Sequence, residues 1–232
     1  MSLNLAVIAE SLPKLLTGAR LTVQLVLFSG VGGLLLAFPL GIARSSVNFW
    51  VKALPWTYIF FFRGTPLMVQ LFLVYYGLSQ FEFVRHSELL WPVLRDPYWC
   101  ALITMALHTA AYIAEILRGA IQAIPLGEIE AAKAVGLSGT KILRRIVLPR
   151  AIRIALPAYS NEVILMLKGS ALASTITLLE LTGMARTIIA KTYMPVEIFL
   201  ATGVFYLVIS FLMVRVFRLA EWHLGRHLRP AV

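Results

Sequence analysis

Apolar runs of about the length needed to cross a lipid bilayer recur along this chain, and no other feature limits its fold so strongly. They fall roughly at 21–43, 56–80, 98–121, 156–181 and 195–216. With 59% hydrophobic residues, the chain carries more apolar side chain than a soluble core of its length requires. In hydrocarbon the backbone must satisfy its own polar groups, and helices do so within one segment. The expectation is an all-α polytopic membrane protein, one domain over 1–232 with five transmembrane helices.

Charge sets the expected orientation. The connections after the first and third runs are basic, as is the tail with Arg218, Arg226 and Arg229, whereas those after the second and fourth are balanced. Basic loops stay cytoplasmic, which puts the N-terminus in the periplasm and the C-terminus in the cytoplasm. The formal charge of +10 therefore belongs to loops beside membrane lipid, and nucleic acid is not an expected partner. Cys100 is the single cysteine, so no internal disulfide or thiolate metal site is possible, and no metal site is expected. Glu10, Lys14 and Arg20 interrupt the layout of a cleavable signal peptide, so the first run is expected to remain as its own insertion signal.

The longest polar break, 125–150, reads as a helix-turn-helix. Helix formers from Glu128 through Glu130, Ala131 and Ala132 lead to Gly136, which suits a helix C-cap. A second short helix follows, with Ser138 to cap it, Ile142, Leu143, Ile146 and Val147 at helical spacing, and Leu148-Pro149 to stop it. In the first run Gly33, Ala37 and Gly41 recur every fourth position and make one face small enough for close helix packing.

Ionisable residues inside spans are costly unless they pair or face a cavity. At about 1.5 Å per residue, Arg63 and Glu162 both lie roughly 10 Å in from the cytoplasmic side, with Glu115 at a similar depth. Arg63 offers a planar fork for a carboxylate, and either glutamate can take an ammonium or guanidinium. Other roles stay open: Glu115 can pair with Arg118 at i, i+3, and Arg63 can pair with Glu162 or meet a helix C-terminus. Thr65, Gln70, Ser160, Asn161, Ser170, Ser174 and Thr175 can line a passage or bond back to their own helices. Lys168 must face a cavity, find a carboxylate or snorkel, and His108 is a proton carrier or an uncharged packed residue.

No phosphate-binding loop of the G-x-x-x-x-G-K-[ST] type is present, nor H-E-x-x-H, C-x-x-C or G-x-S-x-G, so neither ATP hydrolysis nor other enzymatic chemistry is expected of this chain. Glu130-Ala131-Ala132, Gly136 and Ile146-Val147-Leu148-Pro149 match the EAA signature of bacterial ABC importer permeases, E-A-A-x-x-x-G-x(9)-I-x-L-P, at every specified position. Arg63-Gly64-Thr65-Pro66-Leu67 with Gln70, Ala111-Tyr112-Ile113-Ala114-Glu115, Pro125 to Glu130 and Leu156 to Ile164 resemble the polar amino-acid branch, most closely M-type subunits of histidine, lysine, arginine, ornithine and opine systems.

That resemblance implies a type I importer permease in the inner membrane. It moves a polar, basic amino acid or an opine by alternating access. Its implied partners are a second permease subunit of Q type, two ATPase subunits that carry ATP and Mg, and a periplasmic solute-binding protein; this chain itself holds no cofactor. Arg63, Thr65, Gln70, Glu115, Ser160, Asn161 and Glu162 become the implied substrate residues. Glu128, Glu130, Ala131, Ala132, Gly136, Leu148 and Pro149 become the implied ATPase-coupling element. Lys141, Arg144 and Arg145 suit either acidic ATPase surface or anionic lipid headgroups. Lys168-Gly169-Ser170-Ala171-Leu172 departs from relatives that carry an acidic residue and a threonine after the lysine. Residue chemistry alone also admits a stand-alone ion-coupled carrier using Glu115, Glu162, Lys168 and His108 as a relay, or a membrane subunit without transport.

Overall fold

The computed structural model describes residues 4–225, and every regular element among them is helical. Arg226 and Arg229 of the basic tail lie outside the described residues. Helix α1, Leu5–Arg44, begins at Leu5 instead of near Leu21 and runs for 40 residues, capped by the Asn4 side chain at the Val7 N–H. Its length of about 60 Å is roughly twice a hydrocarbon core.

The second apolar run is two helices, not the single span expected over 56–80. Helix α2, Phe49–Gly64, meets α3, Leu67–Gln80, at 104°. Proline forces the preceding residue out of the helical region, and Thr65 is extended at φ −116°, ψ 143°. The break frees backbone acceptors that the buried Gln70 amide recovers. Its Nε2 donates to the carbonyls of Phe62 (2.9 Å) and Thr65 (3.1 Å) and to the Thr65 hydroxyl (2.8 Å).

Two single turns, Glu82–Arg85 and Trp91–Leu94, lead to α4, Pro97–Gln122, capped by Asp96 at the Tyr98 N–H. The polar break then forms α5, Leu126–Ala134. Gly136 lies at φ +79°; its N–H donates to the Lys133 carbonyl and the Leu137 N–H to the Ala132 carbonyl. Those two bonds make the Schellman closure expected of a glycine-terminated helix.

The second half of the break is not a separate short helix. Ser138 stands at the N-cap position but makes no side-chain cap bond, and Pro149 stops nothing. Helix α6 runs continuously over Gly139–Ile176 through a π turn at Leu143–Val147. A proline lacks only the N–H that a helix start leaves unpaired anyway, so after the π turn Pro149 sits in the first turn of the next α segment. The helix tightens at Ser170–Ile176 and ends at Thr177, φ 69°. Helix α7, Leu181–Thr192, follows at 50°, so the expected span over 156–181 starts earlier and ends at a bend. Helix α8, Pro195–Gly225, closes the chain.

Helices α1, α4 and α8 are each long and apolar enough to cross a membrane alone; α2–α3 and α6–α7 qualify only as bent pairs. Helices α1 and α4 lie against each other along the expected small face. A Cβ on Gly33 would stand 3.0 Å from the Ala106 carbonyl oxygen, and one on Gly41 3.0 Å from that of Ala114. Around this pair, Leu25, Leu71, Met105 and Leu167 form one buried core. Leu15, Leu181 and Ile198 form a second, between α1, α7 and α8. A third core joins α4 to the polar element through Leu117, Ile124, Ala132, Ile142 and Val147.

Candidate functional site

The three charged groups expected at one depth do not share one chamber. Two cavities with no lining residue in common lie in sequence along α4. The first, about 240 Å³, is bounded by Met105, His108, Thr109 and Tyr112 of α4, Glu162, Met166 and Gly169 of α6, and Leu67 of α3. Glu162 is 7% exposed and is the one carboxylate on a wall otherwise made of aromatic, thioether and aliphatic groups and the Thr109 hydroxyl. A buried carboxylate facing such a cavity is held in its charged form best by a cation, since the wall around it solvates charge poorly.

The second cavity, about 330 Å³, lies one turn further along α4. It is bounded by Arg44, Trp56, Ile59, Phe60, Arg63, Gly64 and Glu115. The Arg63 guanidinium lies over the Tyr112 ring at 5.3 Å, so a cation–π contact stands between the two spaces. Arg63 is close enough for its charge to act on both Glu162 and Glu115, but no ion pair joins it to either among the described residues. Of the alternatives open in the sequence, Glu115 takes the local one: Arg118 Nε donates to its Oε1 at 2.8 Å.

Thr65 and Gln70 are occupied by the α2–α3 joint. The Thr65 hydroxyl donates to the Phe61 carbonyl, and Gln70 Oε1 lies 3.0 Å from His108 Nδ1. Thus Gln70 fixes a histidine that borders the first cavity, and His108 also lies against Tyr112 with ring centroids 4.9 Å apart. Ser160 is half-buried, whereas Asn161 and Lys168 are exposed on α6 together with Leu165. Ser170, Ser174 and Thr175 bond back to the carbonyls of Leu167, Ala171 and Leu172.

At the polar element, Ala132 is buried against α4 and the start of α6, while Glu130 and Ala131 face outward. Glu128 pairs with Arg150, which ties α5 to α6 across the Gly136 turn. Leu148 is half-buried and Pro149 exposed. Ala132 is therefore the packing residue of the triplet, and its neighbours form a free surface next to a braced joint. Lys141, Arg144 and Arg145 border an open basic recess with Thr140.

Two residues escaped the sequence reading. Arg44 counted only as a loop charge, and its one signal was its position at the end of an apolar run. Glu180, which stands at the end of the fourth apolar run and counts in the charge balance of the connection after it, is fully buried. Its carboxylate accepts from the Thr182 N–H (2.9 Å), the Gly183 N–H (2.8 Å), the Thr22 hydroxyl (3.3 Å) and the Tyr206 hydroxyl (3.2 Å). It caps α7 and joins that helix to α1 and α8. Glutamate is not a preferred capping residue, so the sequence carried only a weak signal, the Thr and Gly two and three positions on.

Residues 29–224 match the family described as binding-protein-dependent transport system inner membrane component. The octopine transport system permease protein of Rhizobium radiobacter is 51% identical over 97% of this chain and 91% of its own length. The histidine/lysine/arginine/ornithine transport system permease protein of Escherichia coli K12 is 45% identical over 93% and 90%. Among solved structures, an amino acid ABC transporter crystallised with histidines has a chain 30% identical, with a TM-score of 0.85 over 96% of this chain and 100% of that one. The inward-facing MetNI methionine ABC transporter shares the fold at a TM-score of 0.71 and 19% identity, over 88% and 95%.

Proposed function

This chain belongs to the family of binding-protein-dependent transport system inner membrane components, and from that membership we propose in detail how it works as the permease of an ATP-driven amino-acid or opine importer. The solute is a basic amino acid or an opine. It is delivered by a periplasmic binding protein and driven by two ATPase subunits, which hold the ATP and Mg and do the hydrolysis. A second, Q-type permease subunit completes the pathway, and the N-terminus faces the periplasm. Among the relatives, one is named for octopine and another for histidine, lysine, arginine and ornithine, solutes that all carry a cationic or protonatable nitrogen group beside a carboxylate.

The observation that carries the substrate reading is the buried Glu162 facing the cavity of Tyr112, His108 and Met166. It suits a guanidinium or ammonium, with the Tyr112 and His108 rings bordering the same space. Arg63, Thr65, Gln70, Glu115, Ser160 and Asn161 complete the proposed substrate-handling set, Thr65 and Gln70 by holding the α2–α3 joint and His108 in place.

The coupling reading rests on α5. Glu130 and Ala131 are presented outward on a helix whose inner side and following turn are braced by Ala132, Gly136 and the Glu128–Arg150 pair. Such an element can transmit a push without collapsing, and Leu148 and Pro149 carry that push into α6.

The whole transporter in proteoliposomes tests both halves. Glu130→Lys is expected to lower ATP-driven L-arginine uptake at least tenfold through lost ATPase coupling. Glu162→Gln is expected to lower uptake as much with the subunits still assembled. Unchanged uptake in the first variant overturns the coupling role, and unchanged uptake in the second removes Glu162 from the substrate site.

A further inference from the structure

The cavity of Arg44, Arg63 and Glu115 is separate from the Glu162 cavity, and its chemistry differs. Three guanidinium groups, Arg44, Arg63 and Arg118, surround the single carboxylate of Glu115. Arg118 engages only Oε1 of that carboxylate; Glu115 Oε2 and Arg44 Nε are buried with no hydrogen-bond partner. Buried polar atoms are almost always satisfied, so two side chains on one cavity wall that hold an unmet donor and an unmet acceptor, both sealed from the space as it stands, gain by turning toward a ligand there that completes both. The excess of positive charge asks for an anionic group, and the open Oε2 asks for a donor next to it.

We propose that this cavity binds the head group of an α-amino acid, its carboxylate on Arg44 Nε and the Arg63 fork and its ammonium on Glu115 Oε2, as a second station distinct from the Glu162 cavity. The proposal rests on the transport reading above. The Arg63–Tyr112 stack separates the stations, so Arg63 must leave the ring as solute moves from one to the other. A planar guanidinium that can either stack on an aromatic face or clamp a carboxylate suits such a gate. The first cavity then selects the cationic end, and the second reads the part common to all α-amino acids.

Thiol protection tests this in the complete transporter. Gly64 borders the second cavity, a Cβ there meets nothing within 4 Å, and the chain's own Cys100 is buried. In a Gly64→Cys complex, modification by a negatively charged methanethiosulfonate, read against the unsubstituted complex as background, is expected to slow at least fivefold with L-arginine. Agmatine, which keeps the guanidinium but lacks the carboxylate, is expected to leave the rate unchanged. Adding Arg44→Gln is expected to abolish the protection and Arg44→Lys to restore part of it, whereas adding Glu162→Gln leaves it in place. Equal protection by agmatine, or full protection in Arg44→Gln, overturns the head-group site. ATP-driven uptake by the unsubstituted complex is measured in the same vesicles, so failure of transport and failure of this site are read separately.

Discussion

At the scale of single residues, the outcome for each charge turned on how many partners it could reach. Glu115 and Arg118 are one helical turn apart and pair, as spacing permits. Glu162 has no such neighbour and is left facing a cavity, which is why it carries the substrate reading. Glu180 is the opposite case: a fully buried carboxylate with four donors around it, two of them the Thr182 and Gly183 N–H groups in the first turn of α7. Glu180→Ala would strand those buried groups, at about 1–3 kcal/mol for each one left without a partner. The expected result is a clear fall in the thermal unfolding midpoint of the detergent-solubilised complex, with Glu180→Gln falling less because its amide oxygen still accepts. Equal midpoints for Ala and wild type would remove Glu180 from the tie between α1, α7 and α8.

At the scale of elements, small residues and breaks do the organising. Periodicity placed Gly33, Ala37 and Gly41 on one face of α1, and α4 packs on that face with Ala106 and Ala114 opposite. Gly41→Leu has no space, because even a Cβ meets the Ala114 carbonyl oxygen and the Leu117 side chain at 3.0 Å. The helices must separate, and core overpacking of this kind costs about 1–3 kcal/mol. The expected signs are lower yield of assembled transporter and faster proteolysis; Gly119→Leu, with open space around its Cβ, is the matched control. Two other element-scale features were half legible. Thr65-Pro66 marked a disturbance inside an apolar run, but its 104° angle depends on Gln70 and the packing of α3. Pro149 read as a stop, and the π turn before it let the helix continue.

At the scale of the whole molecule, the chain is a bundle with a braced polar element at one end and a large apolar surface elsewhere. Exposed leucines and phenylalanines along α8, such as Leu207, Phe211 and Leu219, suit lipid contact. Asn161, Leu165 and Lys168 on α6 form a mixed exposed face that acyl chains solvate poorly. A permease of this family depends on partners for energy, so the purified chain alone in proteoliposomes is expected to give no L-arginine uptake under an imposed proton gradient. Robust uptake by the lone chain would favour the ion-coupled carrier instead.

The sequence by itself determined what short-range chemistry can determine. Apolar length gave the membrane class, because burial in hydrocarbon scales with each segment's own side chains. The spacing from Glu130 to Pro149 gave the family and the polar element, because Gly136 is needed where the backbone turns to positive φ. Tertiary structure alone decided which charges meet. Thr22 and Glu180 lie 158 positions apart and yet bond, so a carboxylate at the end of the fourth apolar run is sealed in the core. Arg63 and Glu162 share a depth by counting, but Tyr112 stands over the guanidinium and the two charges face different cavities. Depth along a helix follows from residue number; direction around it, and what lies across from it, follow only from packing.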